Sequence, residues 1–285
     1  MRYFPLSLRA AAFRLRTALR VSAASLLGCI VLTLPLAASA HSATPDTAMW
    51  VADGDVYAIA TVGTTAYLGG VFSVVGPSTG YGVPISRTTG IRATTFPEVN
   101  DVVHDVIPDG SGGWFIAGMF TKVGGLTRNH LAHILPNGSV DTSWNPNADN
   151  GVYALALSPD GTILYAGGSF TSIGGVSRNH LAALNTGTGT ASSWNPSADG
   201  QIEDIVTLDG SVYVAGTFSN VGSAARYGIA ELDATTGVAT AWDAGSNGTC
   251  KRLAVSPDED TLYIGGSFSL IGGDSRQYLA ELDLS

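Results

Sequence analysis

The chain has 285 residues, 45% hydrophobic and 13% charged, with a net charge of −9. An acidic surface repels phosphate backbones and anionic headgroups, so nucleic acid and direct membrane binding are excluded as expected partners. The two Cys, at positions 29 and 250, make no disulfide framework, and stability has to come from packing.

Residues 1–40 read as a signal peptide. Arg2, Arg9, Arg14, Arg16 and Arg20 form a basic start without an acid, Val21 to Leu36 are apolar, and Ala38-Ser39-Ala40 offers a small-x-small cleavage site. Pro35, several Ser and Thr, and the shortness of the apolar run argue against a retained anchor. Loss of five Arg would move the net charge from −9 to −14. The expectation is a secreted or cell-surface monomer with a single domain over 41–285.

From residue 50 onward the chain repeats. Phe72, Phe120, Phe170, Phe218 and Phe268 are 48 or 50 residues apart, each closing a phrase such as Gly167-Gly168-Ser169-Phe170 or Ala215-Gly216-Thr217-Phe218. A second aromatic, Trp50, Phe96, Trp144, Trp194 or Trp242, stands 22 to 26 residues before each Phe. The units are therefore 50–95, 96–143, 144–193, 194–241 and 242–285. A period of this size means a solenoid or a propeller.

Within a unit the text reads as short strands. Val152 to Leu157 is an apolar run, Ser158-Pro159-Asp160-Gly161 a turn, and Thr162 to Ala166 the returning strand. Asp-Gly between apolar runs is a strong hairpin signal and recurs at Asp109-Gly110 and Asp209-Gly210. Leu181 to Asn185 predicts a third strand, and a short fourth carries Trp194. Four strands in about fifty residues is one propeller blade, and five blades fall within the usual ~4 to 8. The chain opens with the fourth-strand element around Trp50 and stops after the third strand of the last unit, so the N-terminal strand is expected to complete the last blade and close the ring.

The phrase Leu262-Tyr263-Ile264-Gly265-Gly266-Ser267-Phe268, continued through Gly272-Gly273-Asp274-Ser275-Arg276, resembles the delta-sixty repeat of exported bacterial proteins. Leu232-Asp233 with Thr235-Thr236-Gly237 and Trp242 is similar to the looser kelch pattern. The resemblance covers 50–285. It implies a propeller in an exported protein and brings no catalytic residues with it. The first unit departs most, with Gly80 where the others have Arg and Ser86-Arg87 in place of Leu-Asp.

Most polar repeats have an architectural reading. Arg128, Arg178, Arg226 and Arg276 each follow the Phe by eight residues, and a guanidinium can tie loop carbonyls together. His130 and His180 have no acidic or Cys co-ligand in register and are read as solvated strand-edge residues, so no metal site and no cofactor is expected. Asp53-Gly54-Asp55, Asp149-Asn150-Gly151 and Asp199-Gly200 are turn chemistry rather than calcium loops.

One place breaks the repeat. Two adjacent positions of the first strand read Tyr57-Ala58, His104-Asp105, Tyr153-Ala154, Glu203-Asp204 and Lys251-Arg252. If these strands surround an axis, His104, Asp105, Glu203, Asp204, Lys251, Arg252, Tyr57 and Tyr153 gather at one depth as candidate ligand-binding residues. Buried charges must be hydrated, mutually paired or met by a ligand. A self-paired plug and a binding mouth are both open at this point. Strand alternation lets at most one of Glu203 and Asp204 point inward. The expected role is binding or display of an extracellular protein or glycan, not catalysis. A polysaccharide-active glycosidase or lyase using Asp105 with Glu203 or Asp204, and a purely structural envelope module, are the alternatives.

Overall fold

The computed structural model describes residues 52, 54–62, 65–72, 81–86, 88 and 96–284. The expected signal peptide, Trp50, Gly80 and Arg87 lie outside these residues. All regular structure among the described residues is β. Five antiparallel three-stranded sheets follow in chain order. The first is Asp55–Val62, Thr65–Val71 and Gly82–Ser86; the second is Val103–Pro108, Trp114–Gly118 and Leu131–Ile134. The third is Val152–Leu157, Ile163–Gly168 and Leu181–Asn185; the fourth is Ile202–Leu208, Ser211–Gly216 and Ile229–Asp233. The fifth is Thr249–Val255, Thr261–Ser267 and Leu279–Asp283. In every sheet the second strand is central.

The hairpin signal has its physical cause in the backbone. Asp209 and Gly210 have φ of 45° and 81°, and Leu208 pairs with Ser211 across them. Two positive φ values in a two-residue loop match the right-handed twist of the flanking strands. The expected fourth strand is reduced to a single bridge: Val140 to Ile134, Ala191 to Leu184 and Ala239 to Leu232. In the second and third sheets the run past the boundary Trp meets Pro146 or Pro196, which has no N–H for a ladder.

The core is divided into layers between consecutive sheets. Tyr67 with Val103, Trp114 and Ile116 fills the first interface, and Phe115 and Leu131 with Leu155 and Leu164 the second. Tyr165 and Leu181 with Ile202 and Ile205 fill the third, and Tyr213 and Ile229 with Leu253 and Leu262 the fourth. Alternate residues of the central strands in the second, third and fourth sheets serve opposite interfaces, as a period of two requires. The repeat Phe is buried in all five units.

Each interface also carries one aromatic pair, the central-strand ring of one sheet against the boundary ring that follows it. Tyr67–Phe96, Phe115–Trp144, Tyr165–Trp194 and Tyr213–Trp242 have centroids 4.9, 5.0, 5.1 and 5.5 Å apart. The end sheets differ. Tyr263 is 41% exposed and Leu279 66%, where Tyr213 and Ile229 one unit earlier are buried. On the first sheet Ile59 is 66% exposed, while its counterparts Val106, Leu155, Ile205 and Leu253 are buried.

Candidate functional site

The first strand of every sheet slips by one residue against its neighbour. The register breaks between Val56 and Ala58, Val103 and Asp105, Ile202 and Asp204, and Cys250 and Arg252, and in the third sheet it passes over Tyr153. These are β-bulges at one position in five sheets, and they leave Tyr57, His104, Tyr153, Glu203 and Lys251 outside the ladder. The second glycine of the repeat phrase faces each bulge. A Cβ at Gly70, Gly118, Gly168, Gly216 or Gly266 would lie 2.0 to 2.2 Å from a carbonyl oxygen of the bulged strand or the residue before it. The glycine is therefore the condition for the bulge.

Because a bulge puts two residues opposite one, alternation fails there. Glu203 and Asp204 both line one cavity, contrary to the expectation that one would turn away. The cavity, of about 240 Å³, is lined by Tyr57, Ala58, Ile59, His104, Asp105, Tyr153, Glu203, Asp204 and Arg252, so all five first strands contribute. Lys251 is exposed and does not line it.

The walls have two characters. On one side His104 lies parallel to Tyr57, with centroids 5.7 Å apart and planes 4° apart, and meets Tyr153 edge-on at 5.0 Å. Burial, then Arg252, holds His104 below its ordinary pKa. On the other side are Glu203, Asp204 and Arg252. Arg252 Nη1 donates to the carbonyls of Glu203 at 3.0 Å and Lys251 at 2.9 Å. Glu203 accepts from Gln201 Nε2 at 2.7 Å. No ion pair involves Glu203, Lys251 or Arg252 among the described residues. Arg252 acts on Asp105 and Asp204 through space, favouring their charged forms against the effect of burial.

The two aspartates have a separate task. Asp105 accepts from the backbone N–H of Leu155 in the next sheet and of Val106 in its own, both at 2.7 Å. Asp204 repeats this with Leu253 at 2.8 Å and Ile205 at 2.9 Å. Each carboxylate clamps two sheets. Burial raises both pKa values, Asp105 to about 6 against an ordinary 3.8, while the N–H donors oppose the shift.

The repeated Arg residues are ties. Arg226 gives Nε, Nη1 and Nη2 to the carbonyls of Trp242, Ala225 and Thr240. Arg128 and Arg178 reach the carbonyls of Asp141 and Ser192 in the same way. Arg276 differs, since its Nη2 finds only Asp274 at 3.5 Å. Asp149 and Asp199 cap the loop after the Phe through the N–H groups of Thr171 and Ser172, and of Ser219 and Asn220. His130 and His180 hold φ of 66° at a chain reversal, a place taken by Gly228 and Tyr278 in later units. They are half-buried corner residues rather than solvated strand-edge ones. The sequence reading missed His133, whose Nε2 and Nδ1 bridge Asp109 and Asp141 at 3.0 Å each. Among the described residues no three His, Cys, Asp or Glu side chains stand together as metal ligands would.

No curated protein matches the chain. Residues 108–143, 158–191 and 208–237 match the family described as "Domain of unknown function (DUF5122) beta-propeller". Each stretch runs from the end of a first strand or the turn after it, past the central and third strands of one unit. The repeat of this all-β chain is a β-propeller repeat.

Proposed function

We propose that the chain is an exported five-bladed propeller, of the delta-sixty type, whose cavity at the meeting of the five first strands binds a group on an extracellular protein or glycan. The carrying observation is that all five strands deliver a residue to one cavity, with Glu203 and Arg252 left without ion-pair partners among the described residues. A structural module needs no such polar recess. The acidic balance, the basic and apolar leader and the repeat wording support export, either into the medium or onto the cell surface.

Closure is part of this reading. Four central-strand rings have a boundary aromatic, and Tyr263 lacks one among the described residues. Trp50 holds the corresponding place in the repeat and is the natural partner. Its strand, paired beside the fifth sheet, would bring Ile59 against Tyr263 and Leu279.

Catalysis is less well supported than binding. The nominated pair is Asp105 with Glu203 or Asp204, but both oxygens of Asp105 and of Asp204 hold backbone N–H groups. Only Glu203 is left free for chemistry, and glycoside hydrolysis takes two carboxyl groups. The test is to screen the purified chain against a glycan array and host envelope fractions, then repeat with Glu203→Ala and Arg252→Ala. Binding that both variants leave unchanged refutes the cavity as the site.

A further inference from the structure

We infer that the cavity takes one uncharged sugar ring at the end of a glycan; this rests on the reading of the cavity as the binding site. Its charged groups are of both signs: both oxygens of Asp105 and Asp204 are held by backbone N–H groups, and the two groups not fully held, Glu203 and Arg252, are one of each sign. Glu203 and Asp204 would oppose an anion, and Arg252 would oppose a cation, in a recess where charges interact more strongly than in water. A neutral ligand meets neither penalty.

The free hydrogen-bonding groups alternate in kind. Among the described residues, Glu203 has one carboxylate oxygen without a hydrogen-bond partner, and Arg252 has Nε and Nη2 unused. The Tyr57 hydroxyl and both ring nitrogens of His104 have no hydrogen bond among the described residues, whereas the Tyr153 hydroxyl is bonded to Ser169 at 3.0 Å. His104 is held toward its neutral form, so one ring nitrogen donates and the other accepts. Acceptors and donors therefore face one space. Neighbouring hydroxyls fit this set, because each can give a proton to a carboxylate and take one from a guanidinium.

The lining is mainly polar, and Ala58, Ile59 and the rings of Tyr57 and Tyr153 contribute its apolar atoms. Size limits the occupant. A volume of about 240 Å³ is below the roughly 300–1,000 Å³ of sites for drug-sized ligands, and suits one ring rather than a run of them.

The experiment uses one ring shape with three charges. The purified full chain is titrated, by calorimetry and saturation-transfer NMR, with neutral methyl hexosides and N-acetylglucosamine, with anionic glucuronate and with cationic glucosamine. At least one neutral sugar is expected to bind at least tenfold more tightly than the charged ones. Glu203→Gln and Arg252→Gln should each weaken it tenfold or more without moving the melting temperature. Binding of a charged sugar in preference, still lost in both variants, overturns the neutral-sugar inference and leaves the cavity as the site. Binding of any sugar that both variants leave intact overturns the inference and the site together. Failure of every neutral sugar to bind at millimolar concentration overturns the inference, and the array and envelope screen then judges the site by itself.

Discussion

A single side chain, Arg226, holds three carbonyls from two units in place, and its neighbour in the repeat, Arg276, holds almost none. Arg226→Ala should cost about 1–3 kcal/mol, the price of leaving partly buried carbonyls unbonded. Arg276→Ala should stay within about 0.5 kcal/mol, as surface changes do. Urea unfolding of the two variants measures the contrast, and equal losses would refute the tie. Arg226→Lys should recover little, since one ammonium cannot span the three carbonyls. Asp105 gives a pH signature. Its folded pKa of about 6 lies above the ordinary 3.8, so its contribution to stability is full below pH 3.8 and is lost as pH rises through 6. The stability difference between wild type and Asp105→Asn should shift against the wild type between pH 4 and pH 7, and a flat difference would refute the raised pKa. At this scale much was legible in the sequence. The eight cavity candidates follow from aligning one strand across five units, and seven of them reach the cavity. What the two aspartates do there was not legible, because their partners are backbone N–H groups about fifty residues away.

The sheet is the unit in which the repeat glycine acquires its meaning. The sequence shows Gly216 in the phrase, but not the carbonyl of Gln201 that a Cβ there would strike at 2.1 Å. Gly216→Ala should destabilise the protein by about 1–3 kcal/mol through overpacking against backbone, with the bulge at Glu203 forced to move. Guanidinium unfolding gives the loss, and a sugar or array titration reports the displaced Glu203. A loss below about 0.5 kcal/mol, within the range of neutral surface changes, would mean that the bulge does not depend on glycine. Between sheets, Asp204→Ala should expose the amide of Leu253 to faster hydrogen exchange while the amide of Leu155, held by Asp105, keeps its protection. The bulge itself was hidden from a one-dimensional reading, because a two-against-one count exists only when both strands are in view. Periodicity alone made Glu203 and Asp204 look mutually exclusive. The fourth strand is short for a related reason: Pro146 and Pro196 follow the boundary Trp and have no N–H to give a ladder.

For the molecule as a whole, stability is laid down in layers, each layer shared by two neighbouring sheets, as in other repeat arrays. The terminal layers decide whether the array ends or closes. If Trp50 seats against Tyr263, Trp50→Ala and Tyr263→Ala should each cost about 3–5 kcal/mol, the usual loss for a buried aromatic, and the double variant should cost less than their sum. In an open array each stays within about 0.5 kcal/mol. Thermal unfolding of the three variants separates the outcomes. The five three-stranded sheets follow the five copies of the phrase, which together outweigh any one ambiguous residue.

The five bulged residues are attached to the frame yet spared its hydrogen-bond obligations. A substitution at Tyr57, His104, Tyr153 or Glu203, the four of them that line the recess, changes what it displays without breaking a ladder pair or opening a void between layers. With the recess as the binding site proposed above, evolution or a combinatorial library would rewrite specificity at these positions while the glycines opposite keep the scaffold unaltered. Paralogues built on this repeat should differ most in their tastes where they differ least in their foldability.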